Sequence, residues 1–275
     1  MKELKRFARN RTAMLGLVIT LLLAFTALFA PLLSPRSYKE QNLPKVLTPP
    51  FWDPGGDMSY PLGTDHLGRD MLTRILYGLR ISFAVGIGAV LIGGTIGTVI
   101  GVVSGFFGGK VDGILMRLAD TQLSFPAIFL TIAVIAVLGR GLLNLIAVLG
   151  FVTWVQYARV ARGEALVVKE KEFVAAAHAI GATSFHIITR HILPNVMPPL
   201  VVIATVNVSS MILAEAGLSF LGLGVRPPMP TLGQMLSEGR QVFSIAWWNA
   251  VFPGLAIMLV VLGINLLGDG LAEGH

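Results

Sequence analysis

Long runs of apolar residues alternate with shorter polar segments along this chain. Each run approaches the length of about 20 residues that a helix needs to cross a bilayer. Lipid offers the backbone no hydrogen-bond partner, so such runs fold as helices. We predict an all-α membrane protein with six spans, at residues 13–33, 81–107, 121–138, 141–158, 195–225 and 242–268.

Basic residues set the expected orientation, because lysine and arginine favour the cytoplasmic side. Five of them, at positions 2, 5, 6, 9 and 11, precede the first span, and five more lie in residues 159–194. We therefore expect both termini and residues 159–194 in the cytoplasm, and residues 34–80 outside. The first apolar run is longer than a signal-peptide core and ends in Ser34-Pro35-Arg36, which favours a retained anchor helix.

The segment between the first two spans has two parts. Residues 34–62 are rich in proline, glycine and aspartate, which is typical of irregular surface chain. In residues 68–80 the apolar residues share one helical face, while Asp70 and Arg74 are spaced as an i,i+4 pair on another. This pattern predicts a separate amphipathic helix lying at the outer membrane interface.

Composition agrees with a membrane location. Hydrophobic residues make up 54% and charged residues 13% of the 275 residues, with a mean hydropathy of +0.75. Soluble proteins carry about 25% charged residues. The net charge of +6 fits basic helix ends better than a nucleic-acid partner. Cysteine is absent, which excludes disulfides, thiolate catalysis and Cys-ligated metals.

Small residues recur every four positions in the second span, from Ala89 through the glycines to its end. This spacing places them on one helical face, where another helix can approach closely. The partner is either a helix of the same chain or a neighbouring subunit, and a pore-facing surface stays a further alternative. The glycines of this packing face are Gly93, Gly97, Gly101 and Gly105.

Residues 163–195 are too polar to span and too regular for a plain linker. We predict a helix from Glu164 to Ile180, a turn at Gly181, a second short helix, and Pro194 as the end of that helix. This elbow would present the small side chains of residues 175–177 on its surface. The alternative is a solvated connector between two spans.

The elbow resembles the cytoplasmic "EAA" loop of binding-protein-dependent ABC importer permeases. The residues in the family register are Ala176, Ala177, Gly181, Leu193 and Pro194. The chain departs from the pattern in two ways, because Ala175 stands where glutamate is common and His191 where an apolar residue is usual. Glu172 lies nearby but outside the register of the family's glutamate.

Other segments resemble the dipeptide, oligopeptide and nickel importer group within that family. They are LGTDHLGRD at 62–70, GLSFLGLGVRPP at 217–228 and GDGL at 268–271, in order along most of the chain. The resemblance implies a type I ABC importer permease fold with cytoplasmic coupling helices in the bacterial inner membrane. It divides the chain into an anchor helix plus extracytoplasmic loop at 1–80 and a permease domain at 81–271.

The resemblance also implies partners and a mechanism. A second, homologous permease, two ATPase subunits and an extracytoplasmic binding protein would complete an alternating-access importer, surrounded by membrane lipid. Dipeptides or oligopeptides are the first choice of substrate, and nickel or a nickel chelate is the alternative. From another class of protein, an autonomous secondary transporter would need inverted repeats and midplane ion ligands, of which we find no clear sign.

No catalytic, cofactor or metal site is predicted. The chain has no Gly-rich loop with a Gly-Lys-Ser/Thr ending to bind ATP phosphates. Asp65, His66 and Asp70 are expected in an exposed loop without a nucleophile, and the histidines at 178, 186 and 191 are not spaced to share a helical face. Two polar residues within the spans, Glu215 and Asn207, are candidates for the transport pathway or for hydrogen bonds between helices.

Overall fold

The computed structural model describes residues 10–272, and helices dominate this part of the chain. The described residues contain no β-strand, only a single bridge between Thr64 and Asp70. The all-α prediction is therefore confirmed. The α-helices are α1 (Arg11–Leu28), α2 (Ala30–Leu33), α3 (Met71–Phe107), α4 (Gly109–Leu123), α5 (Ala127–Leu138), α6 (Leu142–Lys169), α7 (Glu172–Ala179), α8 (Ser184–Ile187), α9 (Leu193–Phe220), α10 (Leu232–Gln241) and α11 (Trp248–Ala272). A 3-10 turn covers Leu43–Lys45, and a π-helical turn covers Ile188–Ile192.

Five helical segments are long and apolar enough to cross a membrane: α1, α3, α6, the continuous α8–α9 rod and α11. A sixth span results if α4 and α5, which bend by 87° relative to each other, are counted together. The predicted span at 121–138 is therefore not one continuous helix. Pro126 lacks an N–H group and stops the helical ladder, so α5 begins after it and spans only about 18 Å.

Helix α3 differs from the prediction at its beginning. The expected interfacial helix at 68–80 is not separate, because α3 runs unbroken for 37 residues from Met71 to Phe107. Asp70 caps it by accepting a 2.8 Å hydrogen bond from the Thr73 amide. The apolar face of its first turns packs against α10 and α11, not against lipid. The predicted domain boundary at 80/81 stays a prediction, although it falls inside this continuous helix.

The glycine face of α3 lies against the backbone of α6. A Cβ atom added to Gly93 would lie 2.6 Å from the Gly150 carbonyl oxygen, and one added to Gly105 would lie 2.8 Å from the Arg162 carbonyl oxygen. Gly97 and Gly101 are at least as close to the same helix. Helix α6 of the same chain therefore occupies this face, which leaves no room there for a neighbouring subunit.

The two ends of the helical bundle have different structures. We call one the loop end; it is formed by residues 34–80, 139–141 and 221–249. The other, the elbow end, is formed by residues 105–110 and 162–194. Helices α1 and α11 pack antiparallel, with Gly16 against Leu266, so that Arg11 and Ala272 both lie toward the elbow end.

Candidate functional site

The elbow is a break between two long helices, and its first half is shorter than predicted. Helix α6 continues to Lys169 and then stops, because Lys171 adopts an extended conformation. Helix α7 therefore covers only Glu172–Ala179, and the expected single helix from 164 to 180 is wrong. Gly181 follows with a φ of 80°, a left-handed conformation that glycine tolerates best. Thr183 then caps α8 by accepting a hydrogen bond from the His186 amide.

Pro194 does not end the second elbow helix, as the sequence had led us to expect. The chain widens into the π-helical turn Ile188–Ile192, where the Leu193 amide donates to the Ile188 carbonyl. A wider turn accommodates a residue that lacks an N–H group. Residues 184–220 consequently form one rod of 37 residues that joins the elbow to the membrane-embedded part of α9.

The elbow has a buried face and an exposed face. Val174 and Ala177 are buried against an apolar cluster that includes Val168 and Ile187. We had expected Ala177 at the surface, and this expectation is wrong. Ala175 and Ala176 are exposed. Three large apolar side chains are also exposed, with exposed fractions of 41% for Phe173, 85% for Ile180 and 77% for Phe185.

The other predicted coupling residues of the elbow are Glu172, Leu193 and Pro194. Glu172 is exposed in the first turn of α7 and forms no ion pair with any residue between 10 and 272. Leu193 is half-buried and Pro194 exposed. The three elbow histidines do not gather as metal ligands, because His178 stacks on Phe106 while His186 and His191 pack against each other.

A cavity of about 310 Å³ opens between α5, α6 and α9 in the middle of the bundle. Asn207 lies in its wall and donates a 3.2 Å hydrogen bond to the Gln156 side-chain oxygen. Gln156 also lines the cavity, together with Thr131, Thr153 and Ser210, and the rest of the lining is apolar. The cavity can therefore offer uncharged hydrogen-bonding groups to a solute.

Glu215, the other polar candidate within the spans, does not line this cavity. Its side chain is fully buried between α3 and α9. The carboxylate accepts hydrogen bonds from Ser82 at 3.1 Å and from Ser219 at 2.7 Å. A charged or polar group inside a membrane protein is costly without partners, and these two hydroxyls supply them. This position favours a link between helices over direct contact with a solute.

A buried ionic network occupies the loop end. Asp65 is 4% exposed and Asp70 3%, so the expected exposed loop at these residues is wrong. The Asp65 carboxylate accepts from the Arg69 guanidinium at 2.6 Å and lies 3.3 Å from that of Arg74. Glu238 of α10 lies 3.2 and 3.4 Å from the same two guanidiniums. Arg74 therefore pairs with Asp65 and Glu238, and Asp70 serves as the cap of α3 instead.

The same loop holds the start of α11. The Trp248 indole and the Asn249 amide both donate to the Thr64 carbonyl, at 3.0 and 3.2 Å. Residues 64–74 thus connect α3, α10 and α11 at one point. Sequence reasoning missed this role because the partners Glu238 and Trp248 are more than 160 positions away.

Three potential metal ligands meet in this network. Ligand atoms of Asp65, His66 and Glu238 lie within 4.8 Å of one another. However, the Asp65 and Glu238 oxygens face the guanidiniums of Arg69 and Arg74, which already balance the two negative charges. A divalent cation would have to approach both guanidiniums, so the residues fit a closed structural network better than a metal centre.

Family models match both parts of the chain. Residues 97–274 match the binding-protein-dependent transport system inner membrane component. The chain belongs to this family. Residues 4–50 match the N-terminal transmembrane domain of oligopeptide transport permease C. The chain is therefore a transport permease of a membrane-embedded importer, not a catalytic subunit.

Individual relatives and a solved structure agree with the family. The chain is 42% identical over 267 residues to the di/tripeptide transport system permease protein DppC of Pseudomonas aeruginosa, covering 97% of this chain and 88% of the relative. It is 42% identical over 274 residues to the glutathione transport system permease protein GsiD of Escherichia coli, with 98% and 87% covered. The inward-facing MetNI methionine ABC transporter has the same fold, with a TM-score of 0.59 at 21% identity over 74% of this chain and 98% of that one.

Proposed function

We propose that this permease forms half of the translocation pathway of an ATP-driven importer of short peptides. The observation that carries the proposal is the 42% identity to permeases named for di/tripeptides and for glutathione, over nearly the whole chain. Glutathione is itself a peptide, so these relatives favour peptides over nickel, the alternative that the sequence left open. The mid-bundle cavity supports this substrate class, because its amides and hydroxyls can bond to peptide groups.

The proposed complex contains a second, homologous permease, two ATPase subunits and an extracytoplasmic binding protein. In the proposed orientation the elbow end is cytoplasmic and the loop end faces the binding protein. The basic residues Arg159, Arg162, Lys169, Lys171 and Arg190 at the elbow end support this orientation. Both described chain ends lie toward the same side, which agrees with cytoplasmic termini.

The exposed face of the elbow is the proposed contact with an ATPase subunit. Small side chains at Ala175 and Ala176 would allow close approach, and Phe173, Ile180 and Phe185 supply apolar area that water otherwise covers. Val174 and Ala177 hold the elbow on the ends of α3 and α6, so that it can act as a stiff lever.

The test places a charge on each face of α7. Ala176→Glu should leave the permease folded but weaken the retention of ATPase subunits, and lower peptide uptake at least about tenfold, since it buries a charge in the contact. Ala177→Glu should instead unseat the elbow within the permease itself. Val111→Glu is the charge-matched control, because Val111 is an exposed residue of α4 at the same end. This variant should retain its ATPase subunits and its peptide uptake.

The measurements are the number of ATPase subunits that co-purify, binding-protein-stimulated hydrolysis, and peptide uptake in proteoliposomes. Full retention and unchanged uptake in Ala176→Glu would remove the coupling role. The elbow would then be a solvated connector.

A further inference from the structure

A second cavity, of about 640 Å³, lies at the loop end and is lined by two arginines. Arg140 belongs to the short turn between α5 and α6, and Arg226 to the segment that follows α9. Both side chains are exposed. Arg226 extends over the α5–α6 turn, where its Nη2 would lie 3.5 Å from a Cβ added to Gly139. Both arginines therefore border one opening.

Among residues 10–272, neither arginine has a partner of opposite charge. Within the stretch from 10 to 272, the structure shows no ion pair or hydrogen bond for either guanidinium. Most other arginines at the loop end do have carboxylate partners, as Arg36, Arg69 and Arg74 show. Two uncompensated cations beside one cavity attract anions and raise their local concentration.

The arginine-lined cavity lies next to the polar cavity in the middle of the bundle. Thr131 lines the inner cavity, and Ile135, one helical turn further along α5, lines the outer one. On the other wall, Leu218 of the inner cavity is followed by Leu223 of the outer one. The two cavities are thus neighbours along α5 and the C-terminal end of α9, with the cationic cavity at the loop end and the neutral cavity inside.

We propose that Arg140 and Arg226 form a carboxylate-binding subsite at the entrance of the pathway. The subsite receives the C-terminal carboxylate of an arriving peptide. This inference rests on the proposed function, since it assigns the entrance of the same pathway. A guanidinium presents several N–H donors in a planar fork, which matches a carboxylate geometrically. The neutral cavity beyond it has no charge to hold the carboxylate, so the peptide can leave the arginines and move on.

The experiment compares trialanine with trialanine amide, which lacks the negative charge. Uptake into proteoliposomes is measured with the complete transporter, at concentrations of each peptide that saturate the same binding protein. The Arg140→Gln, Arg226→Gln and double variants are compared with the wild type. Because every complex uses one binding protein, its own preference for the free carboxylate cancels in the ratio of variant to wild type.

We expect each single variant to lower trialanine uptake about threefold and the double variant about tenfold, as is reasonable for exposed charge pairs. Uptake of the amide should change less than about twofold. Arg→Lys variants keep the positive charge but lose the planar fork, so they should retain part of the preference, which also separates charge from folding. Lys39→Gln removes an exposed positive charge elsewhere in the outer loop and should leave the ratio unchanged.

Two results would overturn the subsite. Equal losses for both peptides would show that the arginines act in docking or assembly, and unchanged uptake of both would show that they do not touch the carboxylate. Failure of the wild-type transporter to import either peptide is a different result. It would overturn the proposed peptide function and the subsite with it.

Discussion

Replacement of Gly97 tests whether α3 and α6 form one rigid block. An alanine Cβ at this position would lie 2.6 Å from the Tyr157 Cβ and 2.9 Å from the Ala158 amide nitrogen. The Trp154 carbonyl oxygen would be closer still. Ordinary van der Waals contact begins at 3.4 Å, so the helices would have to separate by more than about 0.8 Å to accommodate the methyl group. Overpacking of this kind costs about 1–3 kcal/mol.

The matched control is Gly94→Ala, one turn away on the same helix. There the added Cβ lies 3.6 Å from the Tyr157 ring, an ordinary contact. Replacing glycine by alanine stabilises a helix by about 1 kcal/mol in both variants, so their difference isolates the packing cost. We expect Gly97→Ala to melt about 2–10 °C below Gly94→Ala, and Gly97→Leu lower still.

The assay is the fraction of purified transporter that stays monodisperse on size exclusion after heating. Peptide uptake should fall in the same order, because α6 carries Gln156 in the cavity wall. If Gly97→Ala and Gly94→Ala had the same midpoint, the glycine face would tolerate a methyl group. The close approach of α3 and α6 would then not be what stabilises this part of the bundle.

Two further predictions concern charges at the loop end. Asp65→Asn leaves the guanidiniums of Arg69 and Arg74 with too little negative charge and should destabilise the protein by about 2–4 kcal/mol. Asp53→Asn is the control and should have little effect. Equal thermal midpoints for the two variants would contradict the network. A hydrogen bond from Lys45 holds the pKa of Asp57 at about 2, so this pair should stabilise the loop fully above about pH 4 and lose its effect only as the pH falls through about 2. Pepsin cleavage of the loop should therefore stay slow from pH 5 to 3, and should be faster throughout that range in Asp57→Asn. Equal cleavage rates for the wild type and Asp57→Asn would show that the Lys45–Asp57 pair does not restrain the loop.

The sequence predicted what depends on local composition and periodicity. Apolar run length gave the spans, and four-residue spacing gave a packing face at Gly93 to Gly105, which in the structure lies on α6. Element boundaries were less accurate where tertiary contacts decide them. Residues 71–80 look amphipathic because they pack on α10 and α11, and that contact also extends α3.

The loop-end network shows why part of the site was beyond sequence reasoning. Asp70 and Arg74 have the spacing of a helical ion pair, but Asp70 is needed as the cap of α3. Arg74 then finds Asp65 and Glu238, and the latter comes from a helix far along the chain. Local spacing cannot reveal a partner that only the fold brings near.

The continuity of α8 and α9 has a mechanical consequence. Had Pro194 ended the second elbow helix, a flexible joint would have separated the elbow from the spans. Instead, Phe185 on the elbow and Asn207 in the cavity wall stand on the same 37-residue rod. One helix therefore connects the elbow to the cavity wall, and its regular hydrogen bonding is interrupted at the π-helical turn Ile188–Ile192 and at Pro198 and Pro199. If the elbow moves with an ATPase subunit, as proposed above, these interruptions are where the rod can bend, since a rod transmits a rotation only as far as its softest segments allow.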